Sequence, residues 1–265
     1  MRKQKIVYYT DEINDDFAGT NIITKPLKEN YRYIHRGLIW NFFAMVFYWL
    51  LAFPIVWVIQ KIWTHQKIYN KKVIRQTKNK KGYFLFLNHT QLFSDAVTPA
   101  LVSAPHKAYV TAHPDCVSIS GIRTLVEWVG GLPLSSTYKG MKNMYRAMDY
   151  RLKHKNTISV FPEAHIWPYY NKIRPFPDAS FAYAVKFNEP VFAVTSCYQK
   201  RKFFSRPKML TFVDGPFYPD KTLSPTEARK KLRDEVYNKM VERATKYSTY
   251  EYIKYVKKEA KEKAD

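Results

Sequence analysis

The 265-residue sequence predicts an α/β fold: an α/β sandwich with a mostly parallel or mixed central sheet, preceded by an N-terminal membrane-associated helix. Three observations predict it. Short apolar runs rich in β-formers recur after residue 81, spaced by segments long and polar enough to hold helices. Ahead of them, Gly37 to Gln60 is a stretch of 24 residues without a charge. Near the C-terminus, a helix-capping signature opens an amphipathic pattern. The corresponding division is an N-terminal extension (1–36), an apolar helix with a polybasic segment (37–81), and an α/β domain with a C-terminal amphipathic helix (82–265).

Residues 1–36 mix seven basic with five acidic residues. The apolar segment follows. Its centre, Phe42 to Ile59, is 18 apolar residues in a row, the length expected of a membrane helix. At 1.5 Å per residue the uncharged stretch reaches roughly 36 Å. It starts too late and is too long for a cleaved signal peptide. Pro54 removes a helix hydrogen bond and predicts a kink. Trp40, Tyr48, Trp49, Trp57 and Trp63 are side chains that favour the headgroup region. A bent, half-inserted helix therefore fits as well as a span. A buried core helix is the other reading, against which the length argues.

From Lys61 to Lys81 there are eight Lys/Arg and no acid. Directly after an apolar segment, that asymmetry predicts contact with anionic lipid and a cytoplasmic location for this side. The strands expected next are Tyr83–Leu87, Ala108–Thr111, Thr157–Phe161, Val191–Thr195 and Met209–Val213. Most are continuously apolar, as in a sheet covered on both faces. Lys139 to Lys153 can form a helix. Ser224-Pro225-Thr226-Glu227 supplies an N-cap serine, a first-turn proline and a reciprocal glutamate. Leu232, Val236 and Met240 then repeat every four residues. The closing YVKKEAKEKAD reads as a solvated tail.

Composition limits the function classes. The 44 basic and 22 acidic residues give a formal charge of +22. Such a charge needs an anionic partner: nucleic acid, lipid or phosphorylated substrate. No zinc-finger or RNA-recognition signature is present. The charge clusters beside the apolar segment, so a membrane with anionic lipids is the expected partner and nucleic acid is not. A membrane-anchored nucleic-acid-binding protein is the distant alternative. Two cysteines exclude a disulfide scaffold. The seven histidines show no metal-ligand spacing, and no phosphate-binding glycine loop or dinucleotide fingerprint appears, so no metal or cofactor is expected. His113-Pro114-Asp115 and the neighbouring Cys116 are read as ordinary structural residues.

Candidate chemistry sits at strand ends. The first strand runs into Asn88-His89-Thr90-Gln91-Leu92-Phe93-Ser94-Asp95. Open α/β sheets place active sites beyond the carboxyl ends of their strands. A histidine with a nearby carboxylate forms a general base, because the acid fixes the tautomer and stabilises the imidazolium. On one helix, six positions advance about 600°, which puts the pair off a common face. Pairing therefore requires His89 in a loop ahead of the helix or a bulged first turn; Ser94 with His89 is the lesser alternative. A second strand ends in Phe161-Pro162-Glu163-Ala164-His165. Between them, Gly130-Gly131-Leu132-Pro133 allows close backbone approach.

In this order, and behind an apolar segment, these blocks resemble the glycerolipid acyltransferases typified by bacterial 1-acylglycerol-3-phosphate (lysophosphatidic acid) acyltransferase. The resemblance covers roughly residues 82–217 and the apolar segment. Asn88, His89 and Asp95 match the first block; Gly130, Gly131 and Pro133 the second; Phe161, Pro162 and Glu163 the third; Pro190 to Val194 the fourth. It implies acyl transfer from acyl-CoA or acyl carrier protein to a lysophospholipid hydroxyl, most of all that of 1-acylglycerol 3-phosphate, with another lysophospholipid or a glycolipid as alternative acceptor. His89 would be the base and Asp95 its partner. Asn88, Gly131, Pro133, Phe161, Pro162 and Glu163 would form the substrate site. The family usually has one residue fewer between His and Asp. It also usually carries an arginine for the acceptor phosphate in the second and third blocks; here Ile166 stands in the third and none stands in the second. Lys139, Lys172 and Arg174 are the candidate replacements.

Overall fold

The computed structural model describes residues 4–19, 26–77, 81–118 and 121–258. Strand β1 (Lys5–Tyr9) comes first. A continuous apolar helix follows, made of α1 (Leu38–Val46), a π-helical stretch (Phe47–Ala52) and α2 (Phe53–Trp63). The wide turns lie just ahead of Pro54. There they make room for a ring that would otherwise collide with the preceding turn, so the helix continues through the proline.

After the helix come β2 (Lys67–Tyr69), α3 (Lys72–Gln76), β3 (Tyr83–Leu87), α4 (Leu92–Ser103) and β4 (Ala108–Ala112). Then follow α5 (Arg123–Trp128), β5 (Gly131–Pro133), α6 (Tyr138–Lys153), β6 (Thr157–Val160) and α7 (Ala182–Phe187). The chain closes with β7 (Val191–Gln199), β8 (Lys208–Phe217), α8 (Pro225–Tyr247) and β9 (Ile253–Lys257).

Seven strands form the main sheet in the order β2-β8-β7-β3-β6-β4-β5. From β7 to β5 all neighbours are parallel, and β8 runs antiparallel to β7. This is the mixed, mostly parallel sheet expected. β3 lies at its centre and is buried along its whole length. Phe84 and Phe86 enter one core with Met148 and Leu152 of α6 and Leu232, Val236 and Met240 of α8. Tyr83, Leu85 and Leu87 enter the opposite core with Val102 of α4 and Ile74 of α3. Burial on both faces explains why this strand is continuously apolar. Each fully buried large side chain contributes about 1.5–3 kcal/mol. The reciprocal capping box at Ser224 and Glu227 is present and opens α8. Arg243 on α8 grips Asp214 of β8 with two bonds of 2.8 and 2.6 Å.

The domain limits drawn from sequence shift. β2, inside the polybasic segment, pairs with β8 and belongs to the main sheet. Hydrogen bonding of an edge strand is invisible in a run of three residues inside a polybasic segment. β1 pairs in parallel with β9, so Tyr255 to Lys257 form a strand and not a solvated tail. The remainder of that tail, 259–265, lies outside the described residues.

The apolar helix lies along the flank of the domain. Its buried residues are Ala44, Tyr48 and Gln60. The Tyr48 hydroxyl accepts from the Ala108 N–H at 3.2 Å. Near the other end, Gln60 Oε1 accepts from Ser94 Oγ at 3.1 Å. These anchors are separated by roughly 18 Å of helix. Leu38, Ile39, Leu50 and Ile62 are exposed on the remaining surface.

Beneath the helix start, Glu127 accepts from Tyr31 OH (2.7 Å) and Arg123 Nε (2.8 Å), with His35 Nε2 at 3.2 Å. Nearby, Lys107 donates to the Trp128 carbonyl at 2.6 Å, between the rings of Tyr48 and Tyr109. Burial, with Arg151 adding to it, pushes the Lys107 ammonium down to about 7.

Two predictions follow from this packing. In the unfolded chain Lys107 returns to its ordinary value of 10.5, so between about 7 and 10.5 the unfolded state binds the extra proton. Stability then rises with pH across that window, by at most about 1.4 kcal/mol per unit. Lys107→Met is expected to remove this contribution and flatten the slope, read from denaturant midpoints at successive pH values. Gly130 has φ +95°, and an added Cβ would sit 2.2 Å from the Ala108 carbonyl oxygen. Gly130→Ala is therefore expected to cost more than about 2 kcal/mol in a urea melt.

Candidate active site

β3 delivers His89 past the carboxyl end of the central strand. His89 sits in the loop ahead of α4, and Asp95 in the first turn of that helix. His89 Nδ1 lies 2.9 Å from Asp95 Oδ2. The extra residue between them is absorbed by the loop, as pairing requires. The same carboxylate oxygen accepts from the N–H groups of Thr90 (2.7 Å) and Gln91 (2.8 Å). With Asp95 accepting throughout, Nδ1–H is the donor, so in the neutral imidazole the lone pair is on Nε2. Among the described residues no hydrogen bond reaches Nε2. The Phe161 ring stacks on the imidazole, with centroids 4.4 Å apart.

Ser94 turns away from His89. It is buried and donates to Gln60, tying α4 to the apolar helix. The alternative Ser94–His89 pairing is therefore not formed. Asn88 is also committed. Its amide donates to the Ser196 carbonyl (3.1 Å) and accepts from the Ser196 N–H (2.8 Å). The side chain completes the pairing of β3 with β7 and so fixes where His89 begins.

Pro162 and Glu163 are buried directly behind His89. Glu163 Oε2 accepts from the His89 N–H at 2.9 Å, and Oε1 from the Arg174 N–H at 3.0 Å. The Arg174 guanidinium is 3.5 Å from Oε2. It also donates to the carbonyls of Glu163, His165 and Glu12, and it covers the Trp167 ring. Burial pushes the Glu163 carboxyl upward, opposed by Arg174 and the two backbone N–H groups.

Arg174, only 1 % exposed, is thus spent on the protein itself and does not serve as a cation for an acceptor phosphate. A buried guanidinium demands internal acceptors, and the carbonyls of this loop and of Glu12 meet its terminal nitrogens, while Nε finds no acceptor among the described residues. Lys139 is exposed and lies 3.9 Å from Glu29. Lys172 is exposed, beside Tyr237 and Val241 of α8. Neither is placed against His89 by any contact among the described residues. Gly131 and Pro133 lie on β5, three strand positions from β3, roughly 14 Å at the usual spacing. Gly131 admits Val126 of α5, because a Cβ there would come within 2.4 Å of its methyl group. The Pro133 carbonyl accepts from Tyr33 OH at 3.0 Å.

The loop from Phe161 to Arg174 holds contacts that sequence reading missed. Trp167 N–H donates to the His89 carbonyl (3.1 Å), and Tyr169 N–H to that of Thr90 (2.9 Å). Ala164 and Tyr169 take left-handed φ of 61° and 59°, which turns the loop back onto His89. From the other side the N-terminal segment clamps it. Asp16 accepts from the Ile166 N–H (3.0 Å), and the Asp15 carbonyl accepts from Trp167 Nε1 (2.8 Å). The signal the sequence holds for this clamp is that four of the six residues from Asp11 to Asp16 are acidic.

Solved structures share this architecture. The chain resembles the 1-acyl-sn-glycerophosphate (LPA) acyltransferase PlsC from Thermotoga maritima, with a TM-score of 0.50 and 17 % identity. The match covers 77 % of this chain and 93 % of that one. At that identity the likeness establishes a common fold. No protein-family model and no curated protein matches the sequence.

The surroundings of His89 are apolar and basic. Leu92 and Phe93, between His89 and Asp95, are both exposed. β7 ends on the same side of the sheet, since it is parallel to β3. The segment after it exposes Phe203 and Phe204, 83 % and 62 %. Arg201 covers Phe204, and Arg206 covers Trp63 at the end of α2.

The buried pair yields a test of Arg174. Arg174→Met leaves Glu163 charged and uncompensated, with an expected loss of about 3–5 kcal/mol in denaturant unfolding. A phosphate-gripping surface cation would instead leave stability unchanged.

Proposed function

We propose that this protein is a membrane-bound acyltransferase that moves a fatty acyl group from acyl-CoA or acyl carrier protein to the free hydroxyl of a lysophospholipid. The observation that carries the reading is the His89–Asp95 pair at 2.9 Å, at the carboxyl end of the central strand. The shared fold with an LPA acyltransferase supports it.

His89 Nε2 takes the proton from the acceptor hydroxyl as its oxygen attacks the thioester carbonyl carbon. Asp95 holds the imidazolium that forms. When the tetrahedral adduct collapses, the C–S bond breaks and the thiolate recovers the proton from His89. The products are an ester and a free thiol, and no acyl-enzyme forms. The exposed apolar helix face, Leu92, Phe93 and the Phe203–Phe204 loop suit a site that opens on a lipid surface. With Ala44, Tyr48 and Gln60 all seated on the domain, half-insertion into one leaflet suits the helix better than a perpendicular span. The proposed location is the cell membrane, with the catalytic domain on its cytoplasmic face.

The first acceptor to test is 1-acylglycerol 3-phosphate. A second reading keeps the chemistry and changes the acceptor to another lysophospholipid or a glycolipid. The internal commitment of Arg174 favours it. Radiolabelled acyl transfer to a panel of lysolipids separates the two. A preference above about tenfold for the phosphate monoester supports the first reading, and parity supports the second.

For the mechanism, His89→Ala and Asp95→Asn are each expected to lower kcat by about 10²–10⁴-fold with KM little changed. Wild-type rates in both would remove the proposed chemistry. For the membrane surface, Phe203→Ser with Phe204→Ser is expected to weaken flotation on anionic vesicles about tenfold. Unchanged flotation would relocate the contact.

A further inference from the structure

The polybasic segment does more than spread charge over a surface. At the amino end of β3, roughly 20 Å along the strand from His89, a cavity of about 240 Å³ is lined by Lys71, Arg75, Lys81, His106 and Lys155. These residues come from α3, from the approaches to β3 and β4, and from the turn after α6. No aspartate or glutamate lines the cavity among the described residues. One lining cation is answered from outside it: Lys81 pairs with Glu189 at 2.9 Å. Lys71 is half-buried and, among the described residues, donates to the Leu101 carbonyl at 2.7 Å.

Tyr83 contributes its ring to the cavity wall, while its hydroxyl is buried away from the open space beside Thr157 and Ser103. A concentration of like charge is relieved when an anion enters it. Arg75 brings a planar fork for phosphate oxygens, and the lysines bring point charges.

We propose that this cavity is a binding site for a phosphate monoester or diphosphate group, separate from the His89 site and independent of the reading given to it. Two sources present that chemistry: the headgroup of a phosphatidate-like lipid, and a soluble phosphorylated molecule.

The test uses the full chain in neutral-detergent micelles. Binding of radiolabelled pyrophosphate is measured by equilibrium dialysis. Flotation is measured on phosphatidylcholine vesicles carrying phosphatidate or, at matched charge, phosphatidylserine. Saturable pyrophosphate binding without a phosphatidate preference supports the site with a soluble ligand. A phosphatidate preference supports it with a lipid ligand. In either case Lys71→Gln with Arg75→Gln is expected to weaken binding at least about tenfold. Lys230→Gln with Lys246→Gln removes equal charge from exposed positions of α8, on the opposite face of the sheet, and is expected to leave it unchanged. The proposal fails if neither binding mode is seen, or if the control pair loses as much as the cavity pair.

Discussion

The Glu163 carboxylate is the joint on which the His89 region depends. One oxygen accepts the His89 N–H at the end of β3, and the other accepts the Arg174 N–H at the end of the loop that began at Phe161. A buried carboxylate is tolerable only when its lone pairs are filled and a cation stands beside it. Arg174 meets that demand, and its own donors then require carbonyls, which Glu163, His165 and Glu12 supply. The need to satisfy one buried charge therefore folds a fourteen-residue loop and draws in the N-terminal segment. The ion pair contributes placement more than stability, since such pairs roughly break even against apolar replacements. What it places is the backbone from which the imidazole projects.

That arrangement explains which parts of the site were legible in the sequence. His89 and Asp95 could be paired because both lie within one strand-to-helix turn, where local geometry decides. The capping box at Ser224 was legible for the same reason. Arg174 was read as a free cation because sequence reports its charge and not its burial. Its role depends on Glu12, which lies 162 positions away. Asn88 was assigned to substrate for a similar reason: its partner Ser196 is on β7, and a period-two strand pattern says nothing about an amide plugging the ladder of a neighbour. The main strands were legible as continuous apolar runs. β1, β2 and β9 were not, since charged and short edge strands carry no hydrophobic period.

The charge excess separates into two kinds once burial is known. Around Phe203 and Phe204, arginines lie on exposed aromatic rings, an arrangement suited to a headgroup surface. Around Tyr83, cations from several elements converge on a concavity. A sequence shows only that Lys61 to Lys81 is basic. The fold decides that half-buried Lys71 and exposed Arg75 border one cavity, because α3 packs Ile74 into the core beneath them.

The apolar helix and the proposed general base are mechanically one unit. Gln60 is the one polar residue buried on α2, and its carbonyl receives hydroxyl donors from Ser94 and Thr64. Ser94 immediately precedes Asp95 in the first turn of α4. A shift of the helix along the domain flank would pull that turn, and with it the carboxylate that fixes the His89 tautomer. An amide buried between apolar helices has few other acceptors or donors to turn to, so the link is kept by the cost of breaking it. The sheet thus sets the position of His89 from one side, through Asn88 and Glu163. The helix sets its partner from the other, through Ser94.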